Sequence, residues 1–357
     1  MARNYFNIKY KKKKETQVNL GRFPSTRYRG SKRTILAFLH SVLQPYEFDD
    51  VLDLYSGSGI VSLMFRQMGK RVHANDFLLN CNASARALLH YDGDRAVASG
   101  LERNLRYLLE FDSCEKEKLI CKNFQGIYFT DEENNQLDLF CQKKQIIAPK
   151  IRDLYVYLLS QACLKKRPYN IFDKADLSVR LGGAARASRN QVTWKAPFIL
   201  HATKCLAELN AMDLASNREH AVTSHNACDL DLFERNTEMV YVDPPCIDEK
   251  GGCVDYAHSY HFLDGLCDYD LYSNADHSKA NRSIISNPSD WSTLDGAKNA
   301  IGALSEHFDK GVIALSYRHA SKLKSSEIES LMRRPGRDVL TTTHDNQNDY
   351  LVISRPS

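Results

Sequence analysis

The chain has 357 residues, 43% of them hydrophobic and 26% charged, with a formal net charge of +4 at neutral pH. This is ordinary globular composition, long enough for one large α/β domain with an insertion or for two domains of usual size, and it excludes a disordered or fibrous chain. No apolar stretch approaches the roughly 20 residues needed to span a bilayer, Met1–Lys14 lacks the apolar core of a secretion signal, and the ten cysteines form no Cys-x-x-Cys or zinc-spaced cluster, so a soluble cytoplasmic protein with reduced thiols and no metal is expected.

In chain order, the first feature is a lysine block at 9–14, read as part of a solvated basic tail over residues 1–20. From Phe48 the run FDDVLDLYSGSGIVSLMFRQMGKRVHAND predicts a strand through Leu54, a tight glycine turn, a helix over Ile60–Met68 and a second strand ending at Asp76. Residues 101–196 break that rhythm. They show helical apolar spacing at Leu101–Phe111, a basic run at Lys165, Lys166 and Arg167, a Gly-Gly turn at 182–183, and Arg180, Arg186, Arg189 and Lys195 around Trp194. These are read as an inserted, mostly helical region that binds a partner through those seven cations. Alternation resumes with a helix near Pro197–Leu214, a strand around His220–Ser224 and the strand Met239–Val242. Late strands are predicted at 311–317 and 349–355, with a helix at Ser325–Arg333 between them. Residues 21–100 and 197–357 together would form the catalytic domain.

The chemistry concentrates at two strand ends. In an open α/β sheet, ligands bind beyond the carboxyl ends of strands, where loops expose backbone amides. Asp53-Leu-Tyr-Ser-Gly57-Ser-Gly59 lies at such an end and nearly fits a dinucleotide fingerprint, but its third glycine is missing and an acid precedes the turn. A carboxylate there disfavours a pyrophosphate and favours a cationic amino acid moiety on a nucleoside. Asp76 is placed to accept ribose hydroxyls, so the pair points to S-adenosylmethionine. At the second strand end stands Asp243-Pro-Pro-Cys246. Methyl transfer to an exocyclic amine needs acceptors for both amine protons, which the Asp243 carboxylate and the Pro244 carbonyl would supply, with Pro244 and Pro245 holding the loop rigid.

With these motifs in order, the sequence resembles the adenine-specific DNA methyltransferases of the Dam type: RYRGSK at 27–32, DLYSGSG at 53–59, AND at 74–76, KRPYNIF at 166–172, DPPC at 243–246, YHFLDGL at 260–266 and ALSY at 314–317. The resemblance implies a Rossmann-like methyltransferase sheet, double-stranded DNA as substrate, a flipped target adenine, restriction-modification as the setting and a cognate endonuclease as partner. It implies that Tyr28 and Lys32 flank the methionine end of the cofactor, that Asp53, Tyr55, Gly57 and Gly59 form its pocket, that Asp76 holds the ribose and that Asp229 contacts the cofactor adenine. Residues 101–196 become the target-recognition region.

The departure is Cys246, where the family has an aromatic residue stacked on the flipped base. Loss of about 1–3 kcal/mol of stacking predicts a weakened enzyme, with Tyr256, Tyr260 or Phe262 as substitute rings. Two other readings stay open: a DNA-binding pseudo-methyltransferase or regulatory subunit, and a cytosine ring-carbon methyltransferase using Cys246 as covalent nucleophile, although the Glu-Asn-Val element of that chemistry is absent. His258 and His261 are read as structural, since amine methylation has no strict need for a histidine.

Overall fold

A computed structural model describes residues 18–357 apart from 112–116, 183–189, 213, 215–217, 285–288 and 347. The lysine block at 9–14, Gly183, Arg186 and Arg189 fall outside the described residues. Seven strands form one sheet: β1 (Asp50–Asp53), β2 (Arg71–Asn75), β3 (Ala221–Thr223), β4 (Met239–Val242), β5 (Val312–Arg318), β6 (Arg337–Thr343) and β7 (Asp349–Pro356). The strand order is β3-β2-β1-β4-β5-β7-β6, with β7 antiparallel to both neighbours and all other pairings parallel. This is the Rossmann-like α/β architecture expected from the sequence.

The burial pattern explains why the central strands read as continuous apolar runs. Met239 and Tyr241 of β4 face one core, which also holds Ile60, Leu63 and Phe65 of the helix Ile60–Gln67, while Val240 and Val242 face a second core with Trp291, Ile301 and Ile313. A parallel strand covered on both faces has no polar side to display. β6 was missed in the sequence because it is an edge strand with alternating exposure in RDVLTTT and no buried run.

The order places a reversal at the centre. From β1 the chain adds β2 and β3 on one side, then returns to add β4 and β5 on the other, so β1 and β4 are parallel neighbours with their carboxyl ends together. That is the topological switch point, where open α/β sheets bind ligands. Leu54 N donates to Tyr241 O at 3.0 Å, extending the β1–β4 ladder to the edge of the loops.

Among the described residues, the segment between β2 and β3 contains helices joined by loops and no strand. Its long helix Pro149–Lys166 packs between the helices Leu79–His90 and Phe198–Asn210, and its side chains Leu154, Tyr157, Leu158 and Ala162 join the same core that covers the sheet. Among the described residues, no helix is long and apolar enough to cross a membrane, and no group of side chains could hold a metal ion.

Candidate active site

The loops after β1, β2 and β4 line a cavity of about 1050 Å³. After β1 the chain turns through Tyr55-Ser-Gly-Ser-Gly59 into the helix Ile60–Gln67. Gly57 takes φ +49° and a Cβ there would sit 3.2 Å from the Tyr28 ring, so the turn needs glycine both for its backbone and for the ring beside it. Gly59, at the N-cap of that helix, lies outside the lining and packs toward Leu88, so its place is under the turn rather than in the cavity.

Asp53 is 1% exposed. Its Oδ2 accepts from Ser62 Oγ at 2.6 Å, while Oδ1 faces no hydrogen-bond donor. Burial, and less strongly the charges of Asp243 and Asp76, push its pKa up to about 7. A carboxylate oxygen left unpaired beside a cavity is where a cationic ligand group fits. Asp76 accepts from Gly57 N at 2.8 Å and Leu78 N at 2.9 Å, fixing the glycine turn to the end of β2. Each of its oxygens keeps a further lone pair for a ligand hydroxyl. Tyr55 meets Trp291 edge-on at 5.8 Å, and Asn75 ties Leu54 O, Thr223 and His225 together across the three strand ends.

Asp243, Pro244, Pro245 and Cys246 line the cavity on the β4 side. Lys32, expected to flank the cofactor, lines this cavity, and its ammonium stands 2.7 Å from Asp243 Oδ1, with the two side chains 7% and 18% exposed. Burial raises the Asp243 pKa and Lys32 counteracts that rise. Cys246 Sγ points at Pro244 O, 3.8 Å away, and burial together with Asp243 pushes the thiol up to about 12. At neutral pH it is a protonated thiol, unsuited to nucleophilic attack.

Three residues at the cavity carried no sequence expectation. Phe77, 50% exposed beside Asp76, offers an apolar ring at the rim, and Arg29 and Arg318 bring guanidinium groups to the lining. The signal for Phe77 was available: an aromatic residue directly after a strand-end acid. Arg318 ends β5, a strand whose position next to β4 only the sheet order reveals.

Several expected contacts are corrected. Asp229 does not reach the cavity, whose lining in that loop is Asn226 and Ala227. A turn from Asn226 O to Asp229 N, 3.0 Å, carries the exposed Asp229 into a separate groove with Leu230 and His307. Lys166, Arg167 and Arg180 are 1%, 1% and 6% exposed and cannot meet a duplex as a surface clamp. Lys166 and Arg180 both pair with Glu133 at 2.8 Å, and Arg167 pairs with Asp176 while lying over the Tyr128 and Phe172 rings at 4.3 and 4.8 Å. They tie the end of the helix Pro149–Lys166 to the segments around Tyr128, Glu133, Asp176 and Trp194. Lys165 is half-buried and Lys195 exposed, so these two remain open to a ligand. His261 is buried, with its Nε2 2.9 Å from Tyr128 Oη.

A stability prediction follows. Arg167→Ala should destabilise the protein by about 3–5 kcal/mol, because it leaves the Asp176 carboxylate buried without its cation. Urea unfolding measures this; a change under 1 kcal/mol would show that the pair is not structural.

No curated protein matches the chain significantly. A family model described as D12 class N6 adenine-specific DNA methyltransferase matches residues 28–262, from the Tyr28 segment through Asp243-Pro-Pro into the helix Tyr256–Cys267, and so takes in most of the cavity lining and the helical insertion. That span is more than half of the chain, and the chain belongs to the D12 class N6 adenine-specific DNA methyltransferase family.

Proposed function

We propose that this enzyme moves the methyl group of S-adenosylmethionine to the exocyclic amine of an adenine flipped out of duplex DNA, as the modification component of a cytoplasmic restriction-modification system. The observation that carries the reading is the meeting, in one cavity at the β1–β4 switch point, of the unpaired Asp53 oxygen with the Asp243-Pro-Pro loop. The cavity volume, at the upper end of the usual range for a single ligand site, suits a nucleoside cofactor and a base side by side.

Asp53 would receive the ammonium of the cofactor's amino acid end. Asp76 would receive ribose hydroxyls, and Phe77 would cover the adenine ring. The cofactor supplies an electrophilic methyl group. Asp243 Oδ and Pro244 O would accept the two amine protons of the target, turning the nitrogen lone pair toward that methyl. No residue need become covalently attached to the base, which agrees with a Cys246 thiol held in its protonated form. Lys165 and Lys195, with Arg29 and Arg318 of the cavity lining, would be among the cations that meet DNA phosphates. The helical region 101–196 would recognise the target sequence.

Tritiated S-adenosylmethionine and unmethylated genomic DNA test the reading, with the modified base identified after hydrolysis. N6-methyladenine is expected, and Cys246→Tyr, which adds a ring beside the base and removes no acceptor, should keep that product. Methylcytosine, lost in Cys246→Tyr, would overturn the assignment. A silent wild type rescued by tyrosine would identify a binding protein instead.

A further inference from the structure

A base flipped out of a duplex loses its stacking neighbours and needs a ring to replace them. Cys246 offers none. Three aromatic residues follow in the chain, and the structure separates them. Tyr260 and Phe262 are both 0% exposed. The Tyr260 hydroxyl accepts from Arg29 N at 2.7 Å, and Phe262 lies flat on Phe172 at 5.0 Å and 12° inside the insertion's aromatic core. Neither can meet a ligand.

Tyr256 differs on every count. It is half-buried, lines the cavity together with Asp243, Pro244 and Cys246, and opens the helix Tyr256–Cys267, whose N-cap Asp255 fixes the first turn by accepting from His258 N at 2.9 Å. Its ring belongs to a near-parallel tier: Tyr260 and Tyr28 are 4.6 Å apart at 9°, and Tyr28 and Tyr256 are 5.7 Å apart at 13°. Tyr256 and Tyr260 are themselves 6.4 Å apart at 17°, so the three rings brace one another. Gly30 borders this group, where a Cβ would come within 2.9 Å of the Tyr256 hydroxyl. Such a ring loses little conformational freedom on meeting a base, because its orientation is already set. Of the other accessible rings in the lining, Tyr28 is stacked against both Tyr256 and Tyr260, Tyr55 meets Trp291 edge-on, and Phe77 stands at the end of β2, with β1 between it and the Asp243 loop of β4.

We propose that Tyr256 stacks on the flipped target base, taking the role that the small Cys246 side chain leaves vacant. The inference rests on the reading of the site as one that methylates a flipped adenine. Tyr256 is then a base-contacting residue that acts on the DNA half-reaction and leaves the cofactor alone.

The test compares wild type, Tyr256→Phe, Tyr256→Leu and Tyr256→Met in tritiated methyl transfer to unmethylated genomic DNA, with S-adenosylmethionine affinity measured in parallel by calorimetry. Tyr256→Phe keeps the ring and should retain kcat/KM within about threefold. Tyr256→Leu and Tyr256→Met should each lose roughly 5- to 150-fold in kcat/KM for DNA, the range for one base–aromatic stack, with cofactor affinity unchanged within about twofold. Methionine keeps a long apolar side chain, so it reports on the ring even if leucine unsettles the tier. Full activity in Tyr256→Met, or an equal loss in Tyr256→Phe, overturns the proposal, as does a loss accompanied by matching weakening of cofactor binding, which would mark a residue acting through Tyr28. A wild type that binds S-adenosylmethionine but forms no N6-methyladenine overturns the functional reading and this inference with it, whereas normal methylation by wild type and Tyr256→Met alike overturns the inference alone.

Discussion

Asp243→Ala is expected to lower methyl transfer by about 10²–10³-fold, the usual cost of deleting one fixed polar contact to a reacting group. The carboxylate stands at the carboxyl end of β4 on a loop of two prolines, so no neighbouring acceptor can swing into its place. The same substitution leaves the Lys32 ammonium, 7% exposed, without its partner at 2.7 Å. Removing one member of a buried pair costs about 3–5 kcal/mol, so Asp243→Ala should also unfold earlier. Lys32→Ala combined with Asp243→Ala should regain most of the stability and none of the activity. Lys32→Ala alone separates the roles further. Burial raises the Asp243 pKa and Lys32 opposes that rise, so removal of the cation moves the pKa higher and the proton-accepting carboxylate is lost at a higher pH. The acidic limb of the pH–rate profile should therefore shift upward. Tritium transfer and thermal melts read both effects; more than a tenth of wild-type activity in Asp243→Ala would remove Asp243 from the mechanism.

Asp53→Asn is expected to do two opposite things: stabilise the ligand-free protein and weaken cofactor binding. The folded-state pKa of Asp53, raised to about 7 by burial, lies above the roughly 3.9 of an unfolded aspartate. The folded state therefore holds a proton that the unfolded state has released between those values. Stability from this group is complete below about pH 4, falls as the pH rises toward 7, and is lost above it, a difference of up to roughly 4 kcal/mol. Asparagine carries no charge to bury, so the variant's melting temperature should exceed the wild type's at pH 8 and the gap should close toward pH 4. S-adenosylmethionine affinity should fall about 10- to 150-fold, the value of one hydrogen bond to a charged group. In the wild type, affinity should also rise between pH 5.5 and 7.5, because the bound ammonium requires the ionised carboxylate, and that rise should vanish in Asp53→Asn. Equal affinities by calorimetry would show that Asp53 does not hold the cofactor.

The sequence-chosen residues that meet at one cavity are those whose chemistry is written locally. Asp53, Gly57, Asp76 and the Asp243-Pro-Pro loop each close a strand whose apolar run announces itself, and all of them border one cavity. The failures of sequence reading share a different cause. Lys166, Arg167 and Arg180 look like a solvated basic run, but Glu133 and Asp176 neutralise them from other turns of the insertion. A charge run carries no mark of where its counter-charges will fold. Asp229 failed at closer range, because a single turn after β3 decided which side of the loop it would occupy.

The amino-acid sequence by itself determined the α/β class, the glycine turn with its acid and the rigid Asp243-Pro-Pro loop, since propensity, periodicity and turn chemistry act over a few neighbouring residues. Only the tertiary structure decided that Lys32 meets Asp243, that Arg318 reaches the cavity and that Tyr256 rather than Tyr260 or Phe262 faces it. Those relations arise where β4 inserts beside β1 and the helix Tyr256–Cys267 packs over the Tyr28 segment, between residues distant in the chain. Burial and charge pairing over such separations depend on the completed fold, and no local pattern encodes them.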